Sequence, residues 1–334
     1  MKSPQAGTRL LMPMPELVPE LGPVRTAGAG LEAEGLGPQV LTGNRGQRAA
    51  ARRELAERLA RTCPPGPGIR DPDADAQDAF FGVRRTLSQE PSAVGLSFLV
   101  AHLDVFDDAD ESGSRLPEAE RNALFAGAVA LFGDGGDGLG PMSAVPAAGP
   151  ACGDRAAALR RWRRGHRLFF VVTQGIISAL SGLARAVSED DRPTACSTLS
   201  AAAALSRGAA AALRFTADFA PEAYADTVRP SMMPPAMPPG FSGVQGPDHQ
   251  MLVRLYRRMR PVFTSLDYGS WPIRAFQAAS AEMFAAHVGV CDRFGGSEHP
   301  SILMEAHGHR EARVTATHVL HGLVRSRLAL LDAQ

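Results

Sequence analysis

The sequence predicts an all-α protein, a helical bundle, and three observations predict it. From residue 155 onward apolar residues recur at helical spacing, and no stretch alternates with the strand period of two. Long Ala- and Leu-rich segments are separated by clusters of Gly and Pro, the residues that stop helices and make turns. Hydrophobic residues fill 45% of the 334 positions, enough to bury a sizeable core.

The elements follow in chain order. Residues 1–50 are rich in Pro, Gly and Ala and are expected to form a loosely ordered lead that wraps the body, with residues 51–334 as the helical domain. A helix is predicted over 46–62, GQRAAARRELAERLART, where Glu and Arg pair at helical spacing; Pro64, Pro65 and Pro67 stop it. Residues 92–107 and 117–133 also read as helices, and the Gly- and Pro-punctuated 133–154 as a loop. The stretch 155–188 predicts one long helix that buries Trp162, Leu168, Phe169, Val172 and Ile176. An Ala-rich helix is expected over 196–219. The six prolines of 229–250 forbid helix or central strand, so an extended loop or lid is expected there. Helices resume over 248–259, with Leu252, Leu255, Tyr256 and Met259 on one face, and over 272–291. Pro300 suits the first turn of a last helix running to about 330.

Charge and composition narrow the function. Lys and Arg together number 35, as do Asp and Glu, so there is no basic surplus for nucleic acid and no polybasic membrane contact. Two Trp and three Tyr are too few for base-stacking platforms. Cys63, Cys152, Cys196 and Cys291 are far apart and form no CxxC, so a reducing cytoplasm is expected rather than a disulfide framework. The N-terminal MKSPQAGTRLLMPMPELVPELGP has no apolar core for a secretory signal, and the apolar run 168–180 is too short and interrupted to span a bilayer.

The chemistry-bearing residues cluster late in the chain. On a helix, Phe276, Ser280, Met283, Phe284, His287 and Cys291 fall along one stripe. His287 and Cys291 then lie one turn apart: an imidazole able to ligate a metal, beside a thiol able to reach the edge of what lies over it. The same spacing equally describes a core Cys beside a satisfied His. His249 follows the Pro-rich loop at a helix start, where Asp248 is a candidate cap. His299, His307, His309, His318 and His321 have no spacing of a closed zinc set, and DVFDDADES (104–112) lacks that of a calcium loop. Walker, Rossmann, HExxH and GxSxG patterns are absent.

Three segments, in order, resemble the heme-dependent aromatic oxygenases, the superfamily of tryptophan 2,3-dioxygenase. HRLFFVVTQGIISALSGL (166–183) is similar to the dioxygenase LFIVTHQxYELWxKQxLxEL. FAPEAYADTVRPSMMPPAMPPGFSGVQ (219–245) looks like TPLDFxxFRxxLxPASGFQSxQ. HVGVCDRFGGSEHPSIL (287–303) looks like xIGxKxGTGGSSGxxYL. They cover roughly 155–330, and the first 150 residues carry no such resemblance. The histidine of the dioxygenase THQ is replaced by Thr173, which argues against indole dioxygenation. Instead His249 and His287-Val288-Gly289-Val290-Cys291, with 37 residues between the two histidines, match the HxnHxxxC pattern of the peroxide-using branch that hydroxylates 3-methyl-L-tyrosine in saframycin-type antibiotic pathways.

That resemblance implies a helical bundle of the tryptophan 2,3-dioxygenase type and a heme cofactor. It implies iron ligation by His287, a thioether from Cys291 to a vinyl group, and His249 on the distal side as acid–base. Arg229, which matches the Arg of FRxxL, would hold the substrate carboxylate, and Ser297, in the Gly295-Gly296-Ser297 turn, would cover the amino-acid end. The implied reaction inserts oxygen from hydrogen peroxide ortho to the phenol of an aromatic amino acid, 3-methyl-L-tyrosine to 3-hydroxy-5-methyl-L-tyrosine. Plain L-tyrosine 3-hydroxylation to L-DOPA and a non-catalytic heme-binding protein are the alternatives. A homodimer or higher homo-oligomer is expected, with no nucleic-acid or membrane partner.

Overall fold

The computed structural model describes residues 9–63, 72–133, 154–241, 246–266, 271–306 and 314–331. Helix α6 (Arg155–Ser188) is the spine of the fold and has the bounds the sequence predicts. Asp154 caps it by accepting from the Ala156 N–H at 3.1 Å. Its apolar window is 78% buried within the fold, so it is a core helix spent on its neighbours.

Around α6 pack α4 (Pro91–Ser112), α7 (Arg192–Thr216) and α10 (Pro247–Ser265). Helix α7 also packs against α5 (Glu118–Phe132) and α11 (Trp271–Arg293). Helix α7 can be central because its inner positions are small: Ala201, Ala202, Ala203 and Ala209 through Ala212 are all buried. Where α6 crosses α7 the backbones nearly touch. A Cβ on Gly165 would lie 2.2 Å from Thr216 Oγ1 and 2.9 Å from its Cα. Gly165→Ala is therefore expected to destabilise the protein by about 1–3 kcal/mol, because overpacking outweighs the better helix propensity of Ala. A lower urea midpoint at unchanged slope is the expected result; an unchanged midpoint would mean the helices part at no cost.

Three departures from the sequence reading have physical causes. Residues 9–50 wrap the body, as expected, but they are folded into its core rather than loosely ordered. Strand β1 (Leu10–Pro13), helix α1 (Leu21–Ala33) and the short turn around Leu41 bury Leu10, Met12, Leu21, Val24, Leu31 and Leu41 in the common core. Helix α2 (Arg45–Thr62) runs through position 50 and is started by an Asn44–Gln47 capping box, so no boundary falls there. Second, α3 (Pro72–Phe81) and β2 (Val83–Thr86) were not legible, and β2 pairs in parallel with β1, Leu10 opposite Val83. Third, the last helix is two: α12 (Ile302–Ala306) and α13 (Ala316–Leu328). His307, His309 and Cys152 fall outside the described residues.

The Pro-rich segment is not simply extended. Short helix α8 (Pro221–Ala223), a π-helical turn over Tyr224–Val228 and helix α9 (Arg229–Ser231) precede the prolines of 234–239. A five-residue π turn inside otherwise regular helix marks a place where side chains are re-aimed, here Tyr224 and Arg229.

Buried charge ties the layers together. Arg161, fully buried on α6, donates to Asp108 Oδ2 of α4 at 2.7 Å and to the Asp218 carbonyl at 2.7 Å. Arg85 on β2 bridges Asp78 of α3 and Asp248 of α10, while Gln174 of α6 donates to Asp248 at 2.8 Å. Asp248 is thus no helix cap. Gly246 holds that position without a side-chain bond, and the Asp248 carboxylate turns inward to Arg85.

Candidate active site

A cavity of about 430 Å³ opens between α6, the α8–α9 segment, the C-terminal end of α11 and α12. An aromatic cluster forms part of its wall. Phe294 stacks on Tyr224 with centroids 4.2 Å apart, and Phe81 stacks on His166 at 4.5 Å, with Trp162 against His166 at 4.4 Å. Such walls suit a flat apolar ligand.

The stripe on α11 delivers its chemistry here. Phe276, Ser280, Met283 and Phe284 are buried, and the two residues that follow, His287 and Cys291, both line the cavity. The chain stops the helix at this point for a local reason. Gly295 has φ +81°, the left-handed conformation that favours glycine, and the Gly296 N–H donates to the Cys291 carbonyl at 2.8 Å. A Cβ on Gly296 would lie 2.7 Å from that carbonyl oxygen. The glycine turn therefore folds back over Cys291 and holds its backbone in place.

His287 also lines a second, narrow cavity of about 40 Å³, which it shares with His249, His166 and Leu213. The Nε2 of His249 is buried and has no hydrogen-bond partner. A buried ring nitrogen without a partner costs free energy unless a ligand uses it. Burial pushes the His249 pKa down to about 3 and the His287 pKa to about 4, and the nearby positive charge of Arg327 adds to both shifts. Both imidazoles are neutral at ordinary pH, the form that ligates a metal. Burial, helped by the negative charge of Asp292, pushes the Cys291 thiol up to about 11, so it is protonated.

The residues present fit a heme. A neutral imidazole such as His287 or His249 could ligate a porphyrin iron, and a thiol one turn along, on the adjoining cavity, could reach the porphyrin edge. His249 is set by its own neighbour: the Arg85–Asp248–Gln174 network pins the first turn of α10, from which it projects.

The predicted substrate residues separate. Arg229 lines the large cavity and donates to Glu305 of α12 at 2.7 Å. Ser297 is exposed and not part of the lining; Ser301 lines the cavity instead. Thr173, at the position of the dioxygenase histidine, donates to the Phe169 carbonyl at 2.8 Å and lies off the large cavity. His166, seven residues earlier on the same face of α6, does line it. Its Nδ1–H donates to the Trp162 carbonyl at 2.7 Å, which leaves Nε2 as acceptor. The sequence reading missed His166 and Glu305. Both stand inside or beside quoted segments, but no spacing rule singles them out. Among the described residues no group of three His, Cys, Asp or Glu could hold a bare metal ion.

Comparison with known proteins identifies the family. The model of the family described as SfmD 3-methyl-L-tyrosine peroxygenase matches residues 9–284, so it takes in nearly all of the first 150 residues and ends just before His287. The chain is similar to a 3-methyl-L-tyrosine peroxygenase of Streptomyces lavendulae, 34% identical over 310 residues, which cover 87% of this chain and 81% of the relative. It is also similar to a crystal structure of reduced SfmD, soaked with sodium hydrosulfite, at a TM-score of 0.64 and 31% identity, covering 85% of this chain and 98% of that one. From the N-terminal strand to the start of the histidine-bearing turn of α11 the match is continuous, and the chain belongs to the SfmD 3-methyl-L-tyrosine peroxygenase family.

Proposed function

We propose that the chain is a heme-dependent peroxygenase that hydroxylates 3-methyl-L-tyrosine ortho to its phenol. The observation that carries this reading is the pair of neutral imidazoles, His249 and His287, on one narrow cavity, with Cys291 on the aromatic cavity beside it. His287 would ligate the iron, and Cys291 would fasten the porphyrin edge through a thioether. When bound, the heme supplies the redox chemistry by which hydrogen peroxide gives one oxygen to the ring. The balance is a ring C–H and H₂O₂ going to a ring C–OH and water.

The chain's own residues do the rest. The aromatic walls hold the phenol ring and exclude water. Arg229, with N–H donors beyond the one given to Glu305, holds the substrate carboxylate. His249 keeps its Nε2 lone pair available to take a proton from peroxide or phenol.

The test is a heme-loaded preparation given 3-methyl-L-tyrosine and H₂¹⁸O₂. Labelled 3-hydroxy-5-methyl-L-tyrosine is the expected product. Label arriving from O₂, or faster turnover of L-tyrosine, would replace this reading with an oxygenase or a tyrosine hydroxylase. His249→Ala is expected to keep heme bound and lose roughly a hundredfold or more in turnover, the usual range for a positioned acid–base. An unchanged rate removes that role.

A further inference from the structure

This inference rests on the amino-acid reading above and deepens it. Arg229 and Glu305 both line the large cavity, come from different helices, and face each other at 2.7 Å with side chains only 26% and 20% exposed. A cavity built to take any phenolic acid would present Arg229 alone. Here its charge is already answered. A bare carboxylate arriving at Arg229 meets the Glu305 carboxylate and is repelled by it in this half-buried setting. An α-amino acid brings its own ammonium one carbon away from its carboxylate. It can set the carboxylate on the Arg229 N–H groups that neither Glu305 nor the Tyr224 hydroxyl takes up, and the ammonium on Glu305, and leave every charge paired.

We propose that Glu305 is the specificity residue for the substrate's free α-ammonium, so that the enzyme accepts the free amino acid and rejects phenolic acids and N-acylated amino acids. Rejection works by an unpaired or repelled charge, the device by which a site discriminates between ligands of like shape. The Tyr224 ring beside this pair, stacked flat on Phe294, places the charged end next to the aromatic wall that would hold the phenol.

The test is calorimetric binding of L-tyrosine, 3-(4-hydroxyphenyl)propionate and N-acetyl-L-tyrosine to the heme-loaded protein. The wild type is expected to bind the amino acid at least about thirtyfold more tightly than either analogue, the size of a charge-assisted hydrogen bond or two. Glu305→Gln should weaken the amino acid, strengthen the propionate and bring the two within about threefold, while Glu305→Asp keeps the order of preference. Equal wild-type affinity for all three overturns the proposal without any variant. So does a folded, heme-loaded Glu305→Gln protein with the wild-type preference, or one weakened equally for every probe, which would make the pair a structural clamp. Failure of the underlying reading looks different: the wild type then binds none of the three and turns over no tyrosine derivative.

Discussion

Purified His287→Ala is expected to lose its iron ligation, with the Soret band diminished and shifted and turnover reduced by more than the ten- to hundredfold that outlying partners of a metal ligand typically cost. His287 borders both cavities, and burial holds its pKa near 4, so its lone pair is free for metal throughout the neutral range. Alanine leaves the helix intact and fills no part of the vacated volume. Added imidazole should recover part of the lost absorbance, because the void has the shape of the missing ring. Iron content and spectrum identical to the wild type would assign the ligand elsewhere; His166, which borders the same two cavities, would be the next residue to test.

Cys291→Ala is expected to keep heme at purification but release it to acid–acetone, and its pyridine hemochrome spectrum should move to that of a porphyrin with both vinyl groups free. The thiol is protonated near neutrality, held up to about 11 by burial, so it is inert towards disulfide exchange and available for a stable link. The fold should change little, since alanine replaces one small, partly buried side chain and the Gly295-Gly296 turn bonds to the Cys291 carbonyl, not to its sulfur. Faster bleaching by peroxide is expected as the unlinked heme escapes. Heme that still resists extraction would disprove the link.

Much of the fold was legible because its signals are local. The bounds of α6 follow from an apolar stripe that begins where the Gly- and Pro-punctuated 133–154 ends, and α5 and α11 from periodicity between stops. The strand pair was not legible. Four residues on each strand make too short an alternation to read, and β1 meets β2 only across 73 positions of chain, Leu10 to Val83. The N-terminal segment looked loose because its prolines suppress helical periodicity, yet Leu10, Met12 and Leu21 are buried by elements far along the chain.

By itself the sequence determined the helical class, the adjacency of His287 and Cys291, and the candidacy of His249 and Arg229, since one helical turn or one family motif is enough to relate those positions. Only the tertiary structure decided that His249 shares a cavity with His287, that His166 and Glu305 face the same space as Cys291, and that Ser297 does not. The reason is that burial and charge pairing depend on which helices cross. Those crossings are set by close approaches such as Gly165 on Thr216, between residues whose separation along the chain says nothing about their contact.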